Sequence, residues 1–185
     1  MRSPVYPLSV SEYLEVELKS EIRHEYVGGE IFAMAGASEE HNFIAGNLYS
    51  MIRQKLKGNS CKVFMSDMKV RVKVKETDIF YYPDIMVTCD PLDRDRYSKA
   101  SPSLIIEVLS KNTRMIDKRE KLLSYQNIPS LQEYILVSQD EIKVEVYRPN
   151  EKGSWIKENL IKGDELQLKS VDLSLTMNDI YEDVF

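Results

Sequence analysis

Most of the chain consists of short apolar runs with the period of β-strands, interrupted by a few stretches of helical period. Ser9-Val10-Ser11-Glu12 has the form of a capping box, and Tyr13, Leu14 and Leu18 give the short helix after it an apolar stripe. The paired glycines Gly28-Gly29 between two β-rich runs predict a hairpin with strands around 23–27 and 30–35, because a two-residue primed turn needs positive φ. Ser38 caps a long helix whose first turn carries Glu39 and Glu40, at the positive end of its dipole. Ile44, Leu48 and Ile52 recur there at helical spacing, and Gly58 stops it.

From Cys61 to Val74 the chain alternates, but the apolar positions change parity, from Cys61, Val63 and Met65 to Met68, Val70, Val72 and Val74. A period of two cannot change parity without a bulge or bend, which places one near Ser66-Asp67, where it can aim Asp67 into a site. A strand over 80–88 carries Pro83-Asp84, and a polar surface connection comes after it. The run 103–109 is apolar on both parities, so it reads as a central strand covered on both faces. A helix then starts at Asn112 or Thr113 and runs to about Asn127, with Lys118, Lys121, Leu122 and Tyr125 on one face. Glu133–Ser138 and Ile142–Pro149 form an antiparallel pair, two further short strands add a small β region, and a short helix ends the chain. No repeat, low-complexity tract or linker divides residues 1–185, which read as one domain.

Two acids stand out against this pattern. Asp84 and Glu107 lie inside runs that otherwise read as buried strands. An ionised carboxylate is seldom left there unpaired, and two on adjacent strands repel each other unless a cation sits between them. That suggests a divalent metal. The arrangement resembles the PD-(D/E)XK nuclease superfamily, in which a Pro-Asp on one strand and an acid on the next hold magnesium. IIEVLSKNTRMIDKREKLLSYQ before the EYILV strand, with HEYVGGEIFAMAGASEEHNFIAGNL and SDMKVRV, resembles more closely the Uma-two-type family of restriction endonucleases.

The resemblance implies an α/β (mixed α+β) fold with a restriction-endonuclease-like core, a mixed β-sheet flanked by helices. It implies a metal-dependent endodeoxyribonuclease using Mg²⁺, with Mn²⁺ as a substitute, and DNA as partner; a homodimer is compatible with it. The metal ligands would be Asp84, Glu107 and the backbone carbonyl of Val108. The chain departs from the superfamily pattern where a lysine should stand two residues after the acid, since Leu109 occupies that position. In that superfamily the lysine can come from the next helix, and Lys121 fits, with Lys118 as second choice. The residues alone also allow Lys121 to be the partner of Asp117 in a surface i, i+4 pair. His41, with Glu25 nearby, is placed either at the rim of the metal site or as an ordinary half-buried histidine. Two alternatives stay open: a catalytically silent nuclease-fold domain for nucleic-acid binding or interaction, and a hydrolase of another phosphate ester.

Composition adjusts this picture at three points. A formal charge of −5 counts against a broad nucleic-acid binder. Between Arg53 and Lys75, however, there are eight basic residues against one acid, and Lys69, Arg71, Lys73 and Lys75 share a parity that can face phosphates. No run approaches the roughly 18 apolar residues of a membrane span. Cys61 and Cys89 have neither metal-like nor disulfide-dense spacing, which favours a reducing cytoplasm over export.

Overall fold

In the computed structural model, which describes residues 7–110 and 114–185, the strands form two large sheets and a two-stranded hairpin. Helix α1 (Val10–Lys19) begins at Ser9 with the full capping box to Glu12. Strands β1 (His24–Val27) and β2 (Glu30–Ala33) flank Gly28 and Gly29, whose φ of 57° and 107° supply the left-handed turn. Helix α2 (Glu39–Lys55) buries Ile44, Leu48 and Ile52 and starts at Ser38, which accepts the His41 amide.

Strands β3 (Lys62–Met65), β4 (Lys69–Val74), β5 (Thr77–Tyr81), β6 (Ile85–Thr88), β7 (Ser98–Lys99) and β8 (Pro102–Leu109) come next. A helical stretch then comprises α3 (Arg114–Ile116), a π-helical turn (Asp117–Lys121) and α4 (Leu122–Tyr125). Its predicted start at Asn112 or Thr113 lies outside the described residues. Strands β9 (Glu133–Ser138), β10 (Lys143–Pro149), β11 (Trp155–Ile161), β12 (Glu165–Leu168) and β13 (Leu173–Thr176) lead to α5 (Met177–Ile180).

The six-stranded sheet has the order β11-β10-β9-β8-β6-β3, with β8 and β9 parallel and the other neighbours antiparallel. The five-stranded sheet has the order β2-β1-β5-β4-β7. Strand β8 is buried along its whole length, as its two-sided apolar pattern predicts. Leu104, Ile106 and Val108 join the core under α2, while Ile105 and Leu109 face a second core containing Val70, Val72, Ile79, Tyr81, Tyr125 and Tyr134. Helix α1 covers the far side of the smaller sheet, stacking Tyr13 on Tyr26 at 4.9 Å.

Two features depart from the sequence pattern for one reason. The parity change at Ser66-Asp67 is no bulge within a strand: β3 lies in the larger sheet and β4 in the smaller, with Ser66 at φ 51° in the crossing. The predicted strand 80–88 is likewise two strands, and Tyr82-Pro83-Asp84 carries the chain from one sheet to the other. Proline lacks the amide that would continue a ladder, so this is a natural point to change sheets. Cys61 and Cys89, whose spacing points to no bridge, are joined by a disulfide across the paired strands β3 and β6. That bond removes the sequence argument for a reducing compartment. Among the described residues no helix is long and apolar enough to cross a membrane.

Candidate active site

The register of β6 on β8 brings the two acids together. Ile85 pairs with Ile106, so Asp84, just before β6, falls beside Glu107. The Asp84 amide donates to Glu107 Oε2 at 3.4 Å, and the Val108 amide donates to Asp84 Oδ2 at 2.7 Å. In extended backbone the amide and carbonyl of one residue point to the same side, so the Val108 carbonyl faces this same end of the ladder. Val108 also lines the adjoining cavity.

Lys121 completes the group from the helical stretch over β8. Its ammonium lies 3.3 Å from Glu107 Oε1, 3.0 Å from Glu25 Oε1 and 3.3 Å from Asp117 Oδ1. Both open readings of Lys121 therefore meet in one place: it pairs with Asp117, but inside the site, at 6% exposure. Tyr125, one turn on, donates to Glu107 Oε1 at 2.9 Å. His41 Nε2 lies 3.0 Å from Asp84 Oδ1, so the first turn of α2 reaches the acid pair. Glu25 accepts the Tyr82 amide at 3.4 Å as well as the lysine.

Electrostatics here are set by burial. Burial, the largest effect, raises the Glu107 carboxyl well above the ordinary carboxylate range; Lys121 opposes it, while Asp117, Asp84 and Glu25 add to it. Burial works to discharge Lys121, but Glu107, Glu25 and Asp117 outweigh it and hold the ammonium charged. Burial also disfavours charged His41, and its bond to Asp84 reverses that effect.

A cavity of about 1370 Å³ opens above these groups. Among the described residues, eight acidic side chains line it against Arg23, Lys121 and His41. Among the described residues no three His, Cys, Asp or Glu side chains are gathered as a ready-made ligand cluster. The donors present are nevertheless hard oxygens: the Asp84 and Glu107 carboxylates with the Val108 carbonyl beside them. Magnesium or manganese needs little more, because such ions keep several waters and use one or two carboxylates. The residues fit the ion.

Other predicted residues fall outside this group. Asp67 is on the cavity rim, exposed and 3.5 Å from Arg23. Lys118 points away from the acids and pairs with Glu145 at 2.6 Å. The basic strand face is not continuous. Lys69 is only 5% exposed, with its ammonium over the Tyr82 ring at 5.3 Å; Arg71 pairs with Asp78 at 2.9 Å. Lys75 sits in the β4–β5 turn at φ 55°, and of the four only Arg71 and Lys73 are exposed on the strand. Lys69 therefore cannot belong to a phosphate-binding face. The outer face of β4 turns inward at Lys69 because it packs there against Tyr82.

Lys118 has a structural role that can be checked. Burial works against a charged Glu145, but hydrogen bonds from Lys118, Lys157 and Tyr147 outweigh it and hold the carboxyl at about 2. Because the folded value is depressed, this stabilisation is complete above the unfolded value near 4.3 and is lost as pH falls towards about 2. Lys118→Ala should cost about 1–2 kcal/mol at neutral pH and lessen acid sensitivity, with the acid pair undisturbed. Urea unfolding at pH 7 and pH 3 measures both effects; an unchanged neutral stability would remove the role.

Tyr125 is a site residue that the sequence did not single out, and Asp117 entered the sequence reading only as a surface partner of Lys121. Tyr125 shares the helical face with Lys121, which is a readable signal. Asp117 stands four residues before Lys121, a spacing that already brings the two side chains together, but the sequence reads that pair as a surface one and the structure buries it.

Residues 10–178 match the Uma2 family, described as "Putative restriction endonuclease". Two proteins of Synechocystis sp. strain PCC 6803 are similar over most of their length. "Uncharacterized protein slr1290" is 37% identical over 180 residues, 97% of this chain and 94% of its own. "Uncharacterized protein sll1609" is 34% identical over 157 residues, 83% and 88% respectively. A solved structure from Anabaena variabilis, described as "a putative nuclease belonging to DUF820", shares the fold. Its TM-score is 0.76 over 95% of this chain and 98% of that one, at 22% sequence identity. A match running from the first helix to the last, with relatives above 30% identity along most of the chain, makes this protein a member of the Uma2 family.

Proposed function

We propose that this protein is a metal-dependent endodeoxyribonuclease that hydrolyses DNA phosphodiester bonds. The observation that carries the reading is the contact chain Asp84–Glu107–Lys121 at the floor of one cavity. Asp84, Glu107 and the Val108 carbonyl would hold one Mg²⁺ or Mn²⁺. Such an ion supplies a water made nucleophilic and a counter-charge for the phosphate. His41 holds one oxygen of Asp84, and Tyr125 holds one oxygen of Glu107, so each acid keeps a fixed orientation. Lys121 carries the charge that the family pattern places on the strand, and its ammonium stabilises charge developing on the phosphate.

Two features support a polymer substrate and a bound cation. The cavity exceeds the roughly 300–1,000 Å³ of ordinary small-molecule sites. The described residues of its lining are mostly acidic and repel a bare phosphate, which makes a dication the natural means of admitting one. The test is cleavage of plasmid and single-stranded DNA by the purified chain in Mg²⁺, Mn²⁺ or EDTA. Nicking or linearisation with either metal, abolished by EDTA, is expected. Equal behaviour in all three would leave a nuclease fold without the chemistry.

A further inference from the structure

Asp117 is 2% exposed, lines the cavity and lies 3.3 Å from Lys121, yet neither the strand motif nor the family match assigns it a role. It opens the π-helical turn Asp117–Lys121. A π-turn acts as one inserted residue, rotating the helix before it by about 100° against the helix after it. Leu122 and Tyr125 can then pack into the core while Asp117 also turns inward. A break of this kind disturbs the regular backbone ladder, and the Asp117 carbonyl accepts the buried Tyr134 hydroxyl at 3.1 Å. Tyr134 lies on β9, beside β8, so the turn is tied to the sheet that carries Glu107.

Lys121 has three donors and meets three carboxylates. Glu25 and Glu107 hold it from two sheets; Asp117 holds it from its own helix. We propose that Asp117 is a positioning residue, delivered by the π-turn and anchored through Tyr134, that fixes the Lys121 ammonium against Glu107. This rests on the nuclease reading for its consequence in cleavage, but not for the coupling itself. A lysine stem is flexible, and its ammonium is useful only when held near the reacting phosphate.

The experiment is a double-mutant cycle with Asp117→Asn and Lys121→Met in the metal-free full chain, read by melting temperature. The expected result is strong non-additivity: the double variant melts no lower than the worse single variant. Additive shifts would overturn the proposal. Plasmid cleavage is the second readout. Asp117→Asn should lower kcat about 10- to 100-fold with KM little changed, and Asp117→Glu should recover part of the loss. Wild-type kcat in Asp117→Asn would also overturn it. If the wild-type chain cleaves no DNA, the nuclease reading falls, and the melting cycle still decides the role of Asp117.

Discussion

Lys121→Ala should reduce DNA cleavage by about 10²–10³-fold, the loss usual when one donor to developing charge is removed. Removing the ammonium also leaves Glu107, Glu25 and Asp117 facing one another without their shared cation. Breaking a buried ion pair from one side costs about 3–5 kcal/mol, so the metal-free variant should melt well below the wild type. Mg²⁺ should then restore more stability to the variant than it adds to the wild type, because it replaces part of the missing positive charge. Melting curves with and without Mg²⁺, beside the cleavage assay, separate the two effects. Full cleavage by Lys121→Ala would remove the residue from the chemistry. Lys118 offers no substitute, held 2.6 Å from Glu145. Nor should adding Leu109→Lys rescue the variant, since Leu109 is 2% exposed in the second core, with Tyr125 and Leu136.

Glu107→Gln should abolish divalent-metal binding and yet stabilise the metal-free protein at neutral pH. Burial, resisted by Lys121 and reinforced by Asp117, Asp84 and Glu25, raises this carboxyl well above its ordinary value. Linkage gives the sign. The folded protein keeps a proton that the unfolded chain has lost, so metal-free stability declines as pH rises from the unfolded value near 4.3 towards the folded one. Glutamine removes that decline. The variant should therefore outlast the wild type at pH 8 and lose its advantage near pH 4. Metal binding to the wild type must displace the proton, so affinity should rise with pH. Calorimetry in two buffers of different ionisation enthalpy counts the released proton. Asp84→Asn should lose binding as well. Undiminished binding by the double amide variant would place the metal elsewhere.

The parts of the fold that the sequence revealed, and those it hid, divide on physical grounds. Local signals were legible because they are local: the Ser9 and Ser38 caps, the Gly28-Gly29 turn and the two-sided burial of β8 each depend on a few neighbouring residues. Asp84 and Glu107 were legible because charge inside an apolar run is costly enough to need a reason. The resemblance to nucleases supplied their pairing, and the β6–β8 register places them side by side. Changes of sheet were not legible. A strand crossing from one sheet to the other at Ser66-Asp67 or Tyr82-Asp84 leaves the same parity trace as a bulge or no trace at all. Lys69 misled for a related reason: period two assigns a face but not what covers it, and Tyr82 lies there. The π-turn at Asp117 has no periodic signature, because one inserted residue looks like noise in a stretch this short.

The central claim is that Asp84 and Glu107 share one divalent cation, and a crystal grown with Mn²⁺ tests it most directly. Anomalous scattering should give a single strong peak between the two carboxylates and within coordination distance of the Val108 carbonyl. Lys121 should remain beside Glu107, and His41 beside Asp84. The contradicting result is the absence of a peak there at saturating Mn²⁺, with the acids keeping the protein contacts they make without metal, to His41, the Val108 amide, Tyr125 and Lys121.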